Sequence, residues 1–149
     1  MKNRIPPRRD IANSLRVHGF QCVIFIGDSG GNQEPMSELA SELAKEWREK
    51  GSTAYFITEY YDNPRVAQWI ERQGIKEVDE GHHDNLQYTS QMMLVDPVSV
   101  RMSQRIKAGS FSINGIDLAP AQKTINLGRR LVDYQATVTV KAIRKARGY

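Results

Sequence analysis

Gln21-Cys22-Val23-Ile24-Phe25-Ile26-Gly27-Asp28-Ser29-Gly30-Gly31-Asn32 runs an apolar strand straight into a glycine-rich turn, and Glu34-Pro35-Met36 then opens a strongly patterned segment. Met36, Leu39, Ala40, Leu43, Ala44 and Trp47 recur at helical spacing, with Lys45, Arg48 and Lys50 ahead of Gly51. A strand, a turn of small residues and a helix in this order leave the first helical N–H groups open to an incoming anion or carbonyl oxygen. Open α/β sheets usually place their chemistry at such turns. The pattern predicts that Asn32 caps the helix, with Glu34 and Pro35 in its first turn.

Working outward, Asp10 reads as the N-cap of a short helix that carries Ile11, Ala12, Leu15 and Val17 and closes at His18-Gly19. Thr53 to Thr58 reads as a second strand, and Val66, Ala67, Trp69 and Ile70, ahead of Gly74, as a further helix. Strand, helix, strand implies a parallel pair joined by a crossover. From Gly81 to Gly115 the pattern is less regular: a helix around Tyr88 to Leu94, a break at Asp96-Pro97, a third strand near Ser110 to Ile113 and a turn at Asn114-Gly115. After Pro120, the residues Ile125, Val132, Ala136, Val140 and Ile143 trace one apolar face of a long helix. The fold class expected is α/β with a mainly parallel sheet. So few strands read as part of a larger unit.

The length of 149 residues suits one domain with a substantial core, and no repeat, low-complexity stretch or linker interrupts it. The net charge of +4 invites a nucleic-acid reading until it is located. Eight of the 21 lysines and arginines lie in residues 1 to 9 and 141 to 149, where there is no acid, and the 17 acids outnumber the bases that remain between. The ends therefore read as solvated basic tails, and nucleic acid is not the expected partner. Cys22, the single cysteine, is expected to be buried and inert. The longest apolar run is Cys22 to Ile26, too short for a membrane span, and the N-terminus lacks the apolar core of a signal peptide. A cytoplasmic protein with no membrane partner is expected.

Gly27-Asp28-Ser29-Gly30-Gly31 also satisfies the G-x-S-x-G pattern of a nucleophile elbow, with Asp62 and His82 or His83 following in the required order. Against Ser29 as nucleophile stand the helix start read at Asn32 or Gln33 and a chain short for that fold. A phosphate loop fails for want of Gly-Lys-Ser/Thr. The bland alternative is a tight turn that needs glycine for its backbone. The second cluster is Gly81-His82-His83-Asp84-Asn85, followed by Tyr88-Thr89-Ser90. Adjacent histidines beside an aspartate suit metal ligation or proton transfer, against the plain reading of a solvated polar loop.

Together and in this order, the two clusters resemble the creatininase family of metal-dependent amidohydrolases. Its members typically show His-Gly-Phe at a helix end, an apolar strand, a turn of the type Asn-Gly-His-Gly-Gly-Asn, a later segment ending in Glu-Thr-Ser, and a Pro-Val-Arg-like stretch. Here Ser14-Leu15-Arg16-Val17-His18-Gly19-Phe20 leads to Ile26-Gly27-Asp28-Ser29-Gly30-Gly31-Asn32-Gln33. Later, His83 to Ser90 leads to Asp96-Pro97-Val98-Ser99-Val100-Arg101. The resemblance spans roughly residues 10 to 147. It implies a layered α/β/α sandwich, a homo-oligomer, and a site where divalent metal, zinc or manganese, activates water against a small amide or cyclic amide.

Carried over by position, the metal-binding histidine of the turn falls on Ser29 and the acid before Thr-Ser on Tyr88. The family's Glu-x-His pair and a further aspartate come from a region that would precede Met1. Residues 10 to 149 are thus expected to be the C-terminal portion of a family domain, behind a basic tail at 1 to 9. The catalytic candidates are then His83, by the resemblance, and Ser29, by the G-x-S-x-G pattern; Asp28, Asp84 and His83 are candidate metal ligands, and Gly30, Gly31 and Asn32 a loop for substrate or anion. An amidohydrolase of low or no activity is expected. The alternative is a non-catalytic module that keeps the oligomer surfaces or binds a small anion.

Overall fold

The computed structural model describes residues 6–78 and 85–149. Two compact units emerge, one comprising the described residues up to Asp62 together with Val138–Tyr149, the other running from Asn63 to Thr137.

The first unit is a β-α-β arrangement preceded by a helix. Helix α1 (Pro6–Val17) leads to strand β1 (Cys22–Phe25), helix α2 (Gly30–Trp47) and strand β2 (Thr53–Phe56). Strands β1 and β2 pair in parallel, with Cys22 opposite Thr53 and Phe25 opposite Phe56, as the strand-helix-strand order predicts. The buried stripe of α2, Met36, Leu39, Ala40, Leu43 and Trp47, is the one that its spacing describes. Leu39, Leu43 and Trp47 pack with Ala12 of α1, Val23 of β1 and Ala54 of β2. Gly51, in the left-handed region at φ 66°, turns the chain out of the short 3-10 segment Arg48–Lys50 and into β2.

Two boundaries differ from the sequence reading. Helix α1 starts at Pro6 rather than after Asp10, which puts Arg8 and Arg9 on it. Arg9 has partners within reach on α2, pairing with Glu42 and with Glu46 at 3.0 Å, and these contacts extend the helix beyond its apolar stripe. Cys22 is half-exposed rather than buried, since only Val23 in that strand is fully covered.

In the second unit, helices α3 (Asn63–Glu71), α4 (Leu86–Val95) and α5 (Met102–Lys107) precede strands β3 (Ser112–Ile113) and β4 (Ile116–Asp117), and helix α6 (Ala121–Arg147) follows and ends in the first unit. The stretch expected to add a third strand to the parallel sheet instead forms an antiparallel hairpin, with Ser112 opposite Asp117. Asn114 and Gly115 both have positive φ, the geometry of a two-residue hairpin turn, and that local chemistry closes the strand on its neighbour. Val66, Ile70, Leu86, Met93, Phe111, Leu118, Leu127 and Leu131 form the core of this unit.

The apolar face read along α6 is not the buried one. Thr124, Leu127 and Leu131 are covered, whereas Val132 is 39% and Val140 45% exposed. The helix carries two apolar stripes, and α4 takes the one containing Gly128. A Cβ at Gly128 would overlap the Ser90 carbonyl oxygen and lie 2.6 Å from its carbon, so the α4 backbone sits directly on this glycine.

Candidate functional site

At the end of β1 the chain passes through Ile26 to Ser29 and enters α2 at Gly30, so the turn brings together Asp28, Ser29, Gly30, Gly31 and Asn32. Asp28, Ser29, Gly30 and Gly31 are exposed. The helix begins three residues earlier than the Asn32 cap predicts, with Ser29 in the cap position. Gln33 explains the difference: its Nε2 donates to the Gly27 carbonyl at 2.9 Å and to the Ser29 carbonyl at 2.8 Å. That clamp draws Gly30 and Gly31 into the first helical turn. Asn32 consequently lies inside the helix, where its Oδ1 accepts from Arg8 Nη2 at 2.6 Å instead of capping.

The two glycines are not there for backbone freedom. Neither has positive φ, a Cβ at Gly31 would meet nothing within 4 Å, and one at Gly30 would meet only the Tyr61 hydroxyl, at 3.8 Å. Gly27 is different, because a Cβ there would collide with the methyl end of Met36. As the first residues of α2, Gly30 and Gly31 present N–H groups that have no carbonyl one turn earlier in the helix. Gln33 Oε1 is a buried acceptor with no partner among the described residues. Open N–H donors at a bare turn suit a carbonyl oxygen or an anion.

Ser29 holds an extended backbone, φ −131° and ψ 135°. A nucleophile elbow needs a strained serine backbone to thrust the hydroxyl outward. The helix does start directly after Ser29, as an elbow requires, but the strain is missing.

Of the second cluster, His82, His83 and Asp84 lie outside the described residues. Asn85 caps α4, its Oδ1 accepting from Tyr88 N at 3.1 Å. Glu77 Oε1 accepts from Leu86 N at 2.8 Å and from Asn114 Nδ2 at 3.0 Å, joining the start of α4 to the hairpin turn. Ser90 is fully buried and donates to the Gln87 carbonyl at 3.0 Å. Ser90 of the Thr-Ser motif is thus enclosed in the core, and its backbone lies where Gly128 crosses.

Tyr88 and Thr89 line a recess of about 740 Å³ together with Ser99, Arg101, Arg105 and Asn114. The segment matching the family's Pro-Val-Arg-like stretch thus joins the Thr-Ser motif around one hollow. In the sequence Arg101 stands out only as the end of the Pro-Val-Arg-like stretch, and neither Arg105 nor the Gln33 clamp is marked. Residue type and spacing do not say which carbonyls a side chain reaches or which residues share a hollow.

Among the described residues, no three His, Cys, Asp or Glu side chains converge as metal ligands. Asp28 sits beside a hydroxyl and an amide, Ser29 and Gln33, which are poor partners for zinc. The described residues by themselves do not fit a metal centre. No described helix is long and apolar enough to cross a membrane.

In comparison with known proteins, the family model described as Creatininase, Creatinine amidohydrolase, matches residues 8–143. No curated protein and no solved structure matches the chain.

Proposed function

The chain belongs to the creatininase family, and we propose that it hydrolyses the C–N bond of a small amide or cyclic amide, slowly, at the turn between β1 and α2. The observation that carries this reading is the open space above Gly30 and Gly31, where nothing local requires glycine and a substrate backbone-close to the helix start does. In this reading the Gly30 and Gly31 N–H groups donate to the substrate carbonyl oxygen and stabilise the charge that develops on it. Water adds to the carbonyl carbon, the C–N bond breaks, and the proton given up by the water passes to the departing nitrogen.

Slow turnover follows from Ser29 and Tyr88, which stand where the family carries a metal-binding histidine and an acid. By position in the sequence, Asp28 beside Ser29, and His83 with Asp84 ahead of Tyr88, are the side chains that the family resemblance offers as ligands for zinc or manganese. Metal analysis after chelation and reloading tests that set: stoichiometric metal that is lost in Asp28→Ala supports it, and none in the wild type refutes it.

The activity itself is tested by following amine or ammonia release from a panel of small amides that begins with creatinine. Slow turnover is expected, with Gly31→Val lowering kcat/KM about tenfold or more at unchanged melting temperature. No turnover of any amide overturns hydrolysis and favours the second reading. That second reading, a non-catalytic oligomerising or small-anion-binding member, draws on the same departures at Ser29 and Tyr88. A fluorophosphonate probe is expected to leave Ser29 unlabelled, and labelling would restore the serine nucleophile.

A further inference from the structure

Two non-glycine residues among those described have positive φ, Arg101 at 49° and Asn114 at 47°, and both line the recess of about 740 Å³ in the second unit. Asparagine adopts this conformation readily; arginine does not, and such strain persists where the surroundings and a function hold it. The two arginines of the recess differ in their commitments. Arg105 is tied to the hairpin, its Nε donating to the Ser110 carbonyl at 3.2 Å and its Nη2 to the Ser112 carbonyl at 2.9 Å. The Arg101 guanidinium makes no hydrogen bond or ion pair with another described residue. No acid among the described residues lines the recess, while Met92, Val100 and Ile113 give it an apolar wall.

We propose that this recess binds a small organic carboxylate, with the Arg101 guanidinium gripping the carboxylate and the apolar wall covering its carbon skeleton. Among the described residues one uncommitted cation, Arg101, balances a monoanion, and the planar fork of arginine matches two carboxylate oxygens. Thr89 lines the same hollow and carries a further hydroxyl donor, whereas the Ser99 hydroxyl is committed, donating to the Asp96 carbonyl at 2.8 Å. A phosphate dianion would meet, among the described residues, one free cation against two charges, and its polar surface would face the apolar wall. The proposal does not rest on amide hydrolysis at the β1–α2 turn.

Calorimetric titration of the full chain with isovalerate, and with isovaleramide as its neutral isostere, tests it. Isovalerate is expected to bind saturably, about tenfold or more tighter than isovaleramide, and Arg101→Gln is expected to lose that preference. Arg101→Gly separates binding from folding: it relieves the left-handed strain, so its melting temperature should stay level or rise by about 2–4 °C while isovalerate binding is lost. Unchanged isovalerate affinity in either variant overturns the proposal, as does equal affinity for acid and amide or no saturable binding to the wild type. Inorganic phosphate that displaces isovalerate at a lower concentration than isovalerate itself requires overturns the assignment to a carboxylate.

Discussion

Gly31 and Gly128 are both helical glycines, and their surroundings set opposite consequences for the same substitution. At Gly128 an added methyl meets the α4 backbone at Ser90, which cannot rotate out of the way as a side chain would. Gly128→Ala is therefore expected to destabilise the protein by about 2–3 kcal/mol, read as a lower denaturant midpoint. At Gly31 a methyl meets open space, so Gly31→Ala is expected to raise stability by about 0.5–1 kcal/mol. If the turn receives substrate, the same variant lowers kcat/KM. A Gly31→Ala protein that is both more stable and fully active would remove the turn from the site. The residue types at both positions were legible in the sequence, but their meaning was not. A glycine written in a chain does not say whether backbone, side chain or solvent lies above it.

At the scale of elements, α2 and α6 mark where periodicity succeeds and where it fails. Helix α2 has one apolar stripe, so its spacing alone identified Met36, Leu39, Leu43 and Trp47 as core. Helix α6 has two, and counting residues cannot choose between them. The buried one contains Leu127 and Leu131 beside Gly128, because that glycine lets α4 approach. The start of α4 depends on contacts distant in sequence as well: the Glu77 carboxylate holds both the Leu86 N–H and the Asn114 amide. Glu77→Ala leaves the buried Leu86 end without its acceptor and is expected to cost about 1.5–3 kcal/mol by chemical denaturation. Asn85→Ala, which removes the Tyr88 cap, should cost about 1 kcal/mol. The Glu77 variant should also loosen the recess by freeing Asn114, visible as weaker isovalerate binding than in the Asn85 variant.

At the scale of the whole molecule, the parallel pair β1 and β2 has no further strand among the described residues. Parallel strands are normally covered on both faces and flanked, so open edges favour pairing with another chain. On α6, Val132, Ala136 and Val140 are exposed at intervals of four residues, which places three apolar side chains on one side of the helix. A homo-oligomer, expected from the family resemblance, would use such a surface. Light scattering on the purified chain is predicted to give a multiple of the chain mass, reduced by Val140→Glu; a monomer at high concentration would refute the prediction. The divided basic charge fits this picture, with Arg9 engaged by Glu42 and Glu46 rather than free for a polyanion.

Order along the chain was sufficient for the family, the α/β class, the parallel pairing and the core of α2, because these follow from local period and from motifs in succession. The start of α2 was not determined that way, since Gln33 reaches back over four and six residues to two carbonyls. Nor was the recess of the second unit, in which Tyr88, Arg101 and Asn114 come together from a helix, a turn and a hairpin. Hydrophobic period is a property of neighbours in sequence and survives without the fold. Side-chain clamps, crossing glycines and a strained arginine depend on what lies across space, and only tertiary structure supplies that.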